Sequence, residues 1–177
     1  VSLAAHSRVV AIGETGLDYY RLSGDLEWQR QRFRRHIQAA RITGKPLIIH
    51  TREAAQDTLR IMREEGASNV GGVMHCFTES QAVADAAMEM NLLISFSGIV
   101  TFSSARELKN VARQVPLERM LIETDSPYLA PAPKRGKVNQ PAYVRHVAEE
   151  IARLKGLPVD VVGKATTENF FRLFKLA

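Results

Sequence analysis

The sequence predicts an α/β fold built on a parallel sheet, because short apolar runs alternate with amphipathic helical segments. The runs are continuously apolar rather than alternating, which is typical of strands that are covered on both faces. The predicted strands are RVVAIG (8–13), PLIIH (46–50), GGVMH (71–75), LLISF (92–96) and MLIE (120–123).

Helical periodicity and residues that begin or end helices mark the segments between these runs. Gly44 and Gly66 end the first two helices, and the sequences TESQ and SARE resemble the capping box that begins a helix. The predicted helices cover 27–43, 53–65, 78–90, a segment from 104, and 141–154, followed by a short closing pair at 159–163 and 167–174.

Two architectures fit this alternation, an open doubly wound sheet and a (β/α)8 barrel. The phosphate-binding fingerprints of the open fold, GxGxxG and GxxxxGK[ST], do not occur in the sequence. A polar residue instead follows nearly every predicted strand, and in barrels the catalytic groups gather at that rim. The strand ends therefore favour the barrel without excluding the open sheet.

Composition indicates an ordinary soluble globular domain, which we take to be a single domain spanning 1–177. Of the 177 residues, 45% are hydrophobic and 24% are charged. Cys76 is the one cysteine, so an internal disulfide is excluded and a reducing, cytoplasmic location is expected. No apolar run is long enough to span a bilayer, so no membrane partner is expected. The net charge of +5 is compatible with a polyanionic partner but does not require one.

Polar side chains at the C-terminal ends of the predicted strands favour a cation site. The carboxyl ends of parallel strands lie at one side of a sheet, so these side chains are expected to converge. Imidazole nitrogens and carboxylate oxygens without a thiolate suit a divalent metal ion. A single histidine or acid after a strand is more often a structural residue or a helix cap, so a structural role remains the alternative. The residues concerned are Glu14, His50, His75, Ser95, Ser97, Glu123 and Asp125.

Several other residues carry weaker signals. Arg52 follows His50 and is expected either to contact a phosphate oxygen or to pair with a nearby glutamate. The basic loop 134–137 is expected to attract phosphate groups, with an ordinary solvated loop as the alternative. Cys76 is expected to be a buried, inert thiol. The large aromatic residues fit the core faces of helices; they are Trp28, Phe33, Phe170, Phe171 and Phe174.

Six motifs, in this order, resemble the TatD family of metal-dependent deoxyribonucleases, which belongs to the amidohydrolase-like barrels. The motifs are GETGLDYYR, KPLIIHTREA, HCF, ISFSGIVTF, LIETDSPYLAP and RGKVNQPAYV. The resemblance extends from about Val9 to Phe174, which is essentially the whole chain.

The resemblance implies a (β/α)8 TIM barrel with a metal centre at the strand ends. The positions that match the family's metal ligands are Glu14, His50, His75 and Asp125. They are expected to bind one or two divalent ions (Mg²⁺, Mn²⁺ or Zn²⁺), with Asp125 also acting as the catalytic base. Arg52, Arg135 and Lys137 are expected to contact a DNA substrate.

The family also uses a His-x-His pair on its first strand, and the sequence contains no such pair. Such barrels typically have about 250 residues. We therefore expect this chain to correspond to strands 4 to 8 with their helices, in an N-terminally truncated TatD-like domain. An open arc of strands would leave unpaired edges and an exposed apolar inner face. We expect the chain to persist as an open sheet, to self-associate or to pair with the missing segment.

The expected function is hydrolysis of DNA phosphodiester bonds by metal-activated water. Two alternatives stay open. Related barrels hydrolyse other ester or amide substrates, such as aminoacyl esters, because a fold does not determine its substrate. A chain without the His-x-His ligands is alternatively an inactive fragment.

Overall fold

A five-stranded parallel sheet organises the chain, which a computed structural model describes over residues 1–176. The strand order is β1-β2-β3-β4-β5, so each strand pairs with its neighbour in sequence and the order never reverses. This progression is that of a barrel wall, whereas a doubly wound sheet reverses its order at a switch point. The strands are β1 Ile12–Asp18, β2 Leu47–Arg52, β3 Gly72–Met74, β4 Leu92–Phe96 and β5 Met120–Ile122.

Within residues 1–176, six α-helices connect or follow the strands, and the first five lie where the sequence predicted them except at some ends. The helix that was expected to begin at Thr78 begins at Gln81, and no side-chain cap is formed by its N-cap residue, Ser80. The helices are α1 Glu27–Thr43, α2 Ala55–Glu64, α3 Gln81–Glu89, α4 Arg106–Gln114, α5 Val144–Lys155 and α6 Val159–Phe174.

The predicted closing pair of short helices is wrong, because α6 is one continuous helix through Gly163. The hydroxyl of Thr166 donates to the carbonyl of Val162, so this threonine is satisfied within the helix. Asn169 is buried and donates to the carbonyls of Leu117 and Met120, both at 2.8 Å. These two bonds fasten α6 to the segment that leads into β5.

The two faces of the sheet differ in what covers them. One face packs against the helices in a large core that includes Phe33, Ile49 and Ile94. The other face carries a small cluster of Val73, Leu93 and Leu121, with Leu173 of α6 against it. The α/β class and the parallel sheet are therefore confirmed, and the assignment to strands 4 to 8 of a barrel stays a prediction.

The first strand lies further along the chain than the apolar run 8–13 predicted. It pairs Ile12 with Leu47 and Thr15 with Ile49, so β1 contains one more residue than β2 between these pairs. The irregularity is a β-bulge at Gly13 and Glu14, a feature that re-aims side chains near functional sites. Glu14 therefore lies inside the strand, and Asp18 is the residue at its end.

Three aromatic residues that were expected in the core are exposed. Trp28, Phe170 and Phe171 retain 53%, 41% and 45% of their accessible surface, whereas Phe33 and Phe174 are buried. Helical spacing placed these three residues in helices but assigned their side chains to the wrong surface. Among residues 1–176, no helix is both long enough and apolar enough to cross a membrane.

Candidate metal centre

Close pairing of β1 with β2 brings Glu14 and His50 together. Gly16 pairs with His50, and a Cβ atom on Gly16 would lie 1.9 Å from the carbonyl oxygen of His50. Its φ of 131° is also one that side chains rarely adopt. Gly16, the second glycine of GETGLD, thus permits the close approach of the two strands that leaves Glu14 Oε1 3.3 Å from His50 Nδ1.

Asp18 holds the opposite nitrogen of His50. Its Oδ2 atom lies 3.1 Å from His50 Nε2, and its Oδ1 accepts a hydrogen bond from the backbone N–H of Tyr20. Buried Gln29 on α1 fixes the backbone of Asp18, because it accepts from the N–H and donates to the carbonyl. A carboxylate on one ring nitrogen orients the imidazole, so the other nitrogen faces the acidic side chain of Glu14.

His75 is held in the same manner by Glu123. His75 Nδ1 lies 2.8 Å from Glu123 Oε1, while His75 Nε2 lies 3.9 Å from Glu14 Oε1 and 3.6 Å from Asp125 Oδ1. The other oxygen of Glu123 accepts the backbone N–H of Cys76 at 3.1 Å. The contact with Glu123 raises the pKa of His75 against the opposing effect of burial, because a carboxylate favours the imidazolium form.

Asp125 extends from a tight turn after β5. Its φ of 56° is left-handed, and its carbonyl accepts the N–H of Tyr128 at 3.0 Å. Buried Asn139 donates to the carbonyls of Thr124 and Tyr128, at 2.7 and 2.6 Å, and so brackets the turn. Burial raises the pKa of the Asp125 carboxyl, because an ionised group loses hydration there.

The four predicted ligands line one cleft, with a volume of about 630 Å³, at the carboxyl ends of the strands. Glu14 Oε1 lies within 4 Å of nitrogens from both histidines. Separately, His75, Glu123 and Asp125 offer ligand atoms that all lie within 4.8 Å of one another. Two imidazole nitrogens with carboxylate oxygens form a donor set that suits a divalent cation. The residues present therefore fit a metal ion, and their roles as ligands stay predictions.

The predicted substrate contacts are placed differently from one another. Arg52 lines the cleft and stacks on Tyr20, with its guanidinium carbon 3.5 Å from the ring centre. Arg135 stacks on Phe102 and donates to the carbonyl of Ala130. Within the described chain, neither Arg135 nor Lys137 lines the cleft around the predicted ligands.

Cys76 contributes its backbone rather than its sulfur to the centre. The thiol donates to Ser97 Oγ at 3.1 Å, and burial raises its pKa to about 12. A thiol with that pKa stays protonated at neutral pH, which agrees with the expected inert role.

Three contributors were not assigned these roles by the sequence. Glu123 was visible at a strand end, but only the geometry shows that it holds His75. Asp18 was hidden because the strand was expected to end before it. Asn139 lies in a proline-rich loop, where no periodicity predicts a buried side chain.

Comparisons with known proteins agree with this architecture. The family model described as TatD related DNase matches residues 1–175. The uncharacterized metal-dependent hydrolase YcfH of Escherichia coli K12 is 55% identical over 174 residues, which cover 98% of this chain and 66% of YcfH. The human 3'-5' RNA nuclease TATDN2 is 38% identical over 97% of this chain and 23% of its own length.

A solved structure supports the same relationship. The crystal structure of YjjV, a TatD homolog from Escherichia coli K12, superimposes with a TM-score of 0.87 at 27% identity, over 97% of this chain and 66% of YjjV. The chain thus spans about two thirds of the length of YcfH and YjjV. The order of the strands, the residues gathered at their ends and the family match over nearly the whole chain lead to one conclusion: this chain belongs to the family of TatD-related DNases.

Proposed function

We propose that this chain carries the metal centre of a divalent-cation-dependent hydrolase that cleaves phosphodiester bonds in DNA. The observation that carries the proposal is the position of Glu14 Oε1, 3.3 Å from His50 Nδ1 and 3.9 Å from His75 Nε2. Asp125 lies on the same cleft, 3.6 Å from His75. The family description as a DNase and the nuclease name of a human relative support the choice of a nucleic acid as substrate.

Glu14, His50, His75 and Asp125 would hold one or two cations, and mixed nitrogen and oxygen donors accept Mg²⁺, Mn²⁺ and Zn²⁺. A bound cation supplies electrophilic polarisation of the phosphoryl group and lowers the pKa of water. Glu123 and Asp18 keep the two imidazoles in the orientation that presents their other nitrogens to the cleft.

Asp125 is the proposed general base. Its carboxylate lies on the same cleft as the other predicted ligands, 3.6 Å from His75 Nε2, where it can accept a proton from an attacking water. Arg52 is exposed on the cleft and has no carboxylate partner within 4.0 Å in the described chain, so its guanidinium is available to a substrate phosphate. Arg135 and Lys137 would add a weaker, long-range attraction for the polyanion.

The proposed setting is cytoplasmic. Cys76 is a protonated thiol with no second cysteine in the sequence, which suits a reducing compartment. The net charge of +5 suits a nucleic-acid partner, and binding that depends on phosphate contacts should weaken steeply as salt rises.

The test replaces Asp125 by Asn and measures cleavage of single-stranded DNA with Mg²⁺, Mn²⁺ or Zn²⁺. Loss of the base should lower the cleavage rate about 100-fold or more. The Asp85→Asn variant, altered at an exposed position of α3, is the matched control and should cleave like the unchanged chain.

Two outcomes would contradict the proposal. Cleavage that is unchanged in Asp125→Asn removes Asp125 from the reaction. Salt-insensitive hydrolysis of a neutral ester or an amide, without any cleavage of DNA, would favour the other-substrate hydrolase instead. Calorimetric titration with Mn²⁺ tests the alternative that the chain is an inactive fragment. A centre limited to these four ligands should bind the ion weakly, so tight and stoichiometric binding would contradict that alternative.

A further inference from the structure

A second cavity opens beside the metal centre, on the side of β1 and α1. Its volume is about 260 Å³, and Glu14 and His50 belong to its walls as well as to the walls of the main cleft. Trp28 and Arg32 of α1 form another part of its lining. A ligand that occupies this cavity therefore lies next to the residues proposed to hold the cation.

Trp28 is a large aromatic side chain in an unusual place, with 53% of its surface exposed on the wall of a cavity. The guanidinium carbon of Arg32 lies 4.6 Å from the centre of the Trp28 ring. This arrangement is a cation–π contact, which leaves the polar edge of the guanidinium available to an anion.

In the described part of the chain, Arg32 has no acidic partner, a property that it shares with Arg35 but not with Arg30 or Arg34 of the same helix. Arg30 pairs with Asp25 and Glu27, and Arg34 pairs with Glu64 and Glu65. Within residues 1–176, Arg32 has no carboxylate oxygen within 4.0 Å. Its charge is therefore not neutralised inside the chain.

An indole face next to a free guanidinium has the chemistry that recognises an unpaired nucleotide. Bases stack on aromatic side chains irrespective of sequence, and arginine contributes through its charge and its plane. The cavity is smaller than the roughly 300–1,000 Å³ that hold drug-sized ligands, so it suits one base rather than a duplex.

We infer that Trp28 and Arg32 form a subsite for one unpaired nucleotide adjoining the phosphodiester to be cleaved, with its base stacked on the indole and its phosphate on the guanidinium. The inference rests on the proposed function and deepens it, because it places two residues of α1 in contact with the substrate strand. It also replaces the expectation that Trp28 serves the core.

Trp28 is the one tryptophan in the sequence, so its fluorescence reports on this subsite alone. The probes are a phosphorothioate-linked decathymidylate, which resists hydrolysis, and an abasic decamer with the same linkages, both in Mg²⁺. We expect the base-bearing oligomer to quench Trp28 and the abasic oligomer to leave its emission nearly unchanged. Equal effects of the two oligomers would overturn base stacking.

Variants test the same point by the anisotropy of a labelled decathymidylate. Trp28→Ala should weaken binding about tenfold, and Trp28→Phe should retain most of it because a ring remains. Arg32→Ala should also weaken binding, whereas Arg35→Ala, at an exposed position of the same helix, should not. Unchanged binding by Trp28→Ala and Arg32→Ala would overturn the subsite.

Kinetics separates failure of the subsite from failure of the proposed function. Trp28→Ala should raise the KM for single-stranded DNA about tenfold with little change in kcat, because stacking is uniform binding energy. The affinity of the Trp28→Ala variant for Mn²⁺ should equal that of the unchanged chain. Cleavage with an unchanged KM contradicts the subsite alone, whereas no cleavage by the unchanged chain contradicts the proposed function and leaves the oligomer-binding experiments to decide the subsite.

Discussion

At the scale of single residues, the candidate centre depends on carboxylates behind the histidines as much as on the groups that face the cleft. His50 lies between Asp18 and Glu14, and His75 lies between Glu123 and the pair Glu14 and Asp125. Each imidazole is thus held by a carboxylate at one ring nitrogen, and its other nitrogen faces the cleft. Carboxylate partners of this kind also raise the basicity of the presented nitrogen.

Glu123→Gln tests this arrangement because it keeps the shape of the side chain and removes the charge next to His75 Nδ1. Loss of such a partner typically lowers metal affinity about 10–100-fold, and we expect a decrease in that range. Calorimetric titration with Mn²⁺ measures it. Glu118→Gln, at an exposed position before β5, is the control and should bind as before. Equal affinity in both variants would show that Glu123 does not act through His75.

The sequence predicted which residues meet but not how they are held. Glu14, His50, His75 and Asp125 could be identified because parallel strands deliver their ends to one rim. The pairings of Asp18 with His50 and of Glu123 with His75 depend on a bulge and on side-chain directions. Neither is determined by the local pattern of apolar and polar residues.

At the scale of secondary-structure elements, α6 is attached to the last strand by one buried side chain. Asn169 donates to the carbonyl of Met120, the first residue of β5, and to the carbonyl of Leu117, which also accepts the N–H of Met120. The sequence predicted helix in this region but divided it in two at Gly163 and Thr167. Glycine is tolerated inside a helix when tertiary contacts, such as those of Asn169, hold it.

Asn169→Ala should lower the free energy of unfolding by about 1–3 kcal/mol, because it removes two hydrogen bonds and takes the side-chain donor away from the buried carbonyl of Met120. Urea denaturation monitored by circular dichroism measures the change. Asn110→Ala is the matched control at an exposed position of α4, and its effect should stay within about 0.5 kcal/mol. An equal effect of the two substitutions would contradict the anchoring role.

Asp57 on α2 contacts Arg30 of α1 and Tyr19 after β1, and its carboxyl predicts a pH dependence of stability. Hydrogen bonds from Arg60 and then Tyr19 hold the pKa of the Asp57 carboxyl below its ordinary value of 3.8. A lowered pKa contributes stability that is present above the ordinary value and is lost as pH falls through the folded value. Asp57→Asn should therefore lower the Tm at pH 7, and the difference from the unchanged chain should shrink at pH 3 and below. A constant difference across that range would exclude the ionised carboxylate as its source.

At the scale of the whole molecule, the order of the strands and the position of the site were predictable, because both follow from the alternation of strands and helices along the chain. The surface of the molecule was less predictable. Periodicity marks a helix face as apolar but does not show whether another element covers it, and Trp28, Phe170 and Phe171 illustrate that limit. Contiguous exposed apolar patches can mark interaction sites.

The inner face of the sheet, which carries the cluster of Val73, Leu93 and Leu121, leads to a prediction about association between chains. A cavity of about 530 Å³ on this face is lined by Val73, Leu121, Phe170 and Phe174, and the exposed ring of Phe171 contacts Phe170. The strands β1 and β5 each pair on one side only within the described sheet. Apolar surface beside unpaired strand edges favours association, because burial removes the surface from water and satisfies the edge.

We therefore expect the chain to self-associate at micromolar concentrations, with sedimentation velocity showing a larger species that dissociates on dilution. Replacing Phe170 and Phe171 together by Ser should shift the distribution towards monomer, because it removes apolar area from the contact. Leu22→Ser changes an equally exposed apolar residue between β1 and α1 and should leave the distribution unchanged. A monomer at every concentration, or an equal response to both changes, would show that the inner face does not carry the association.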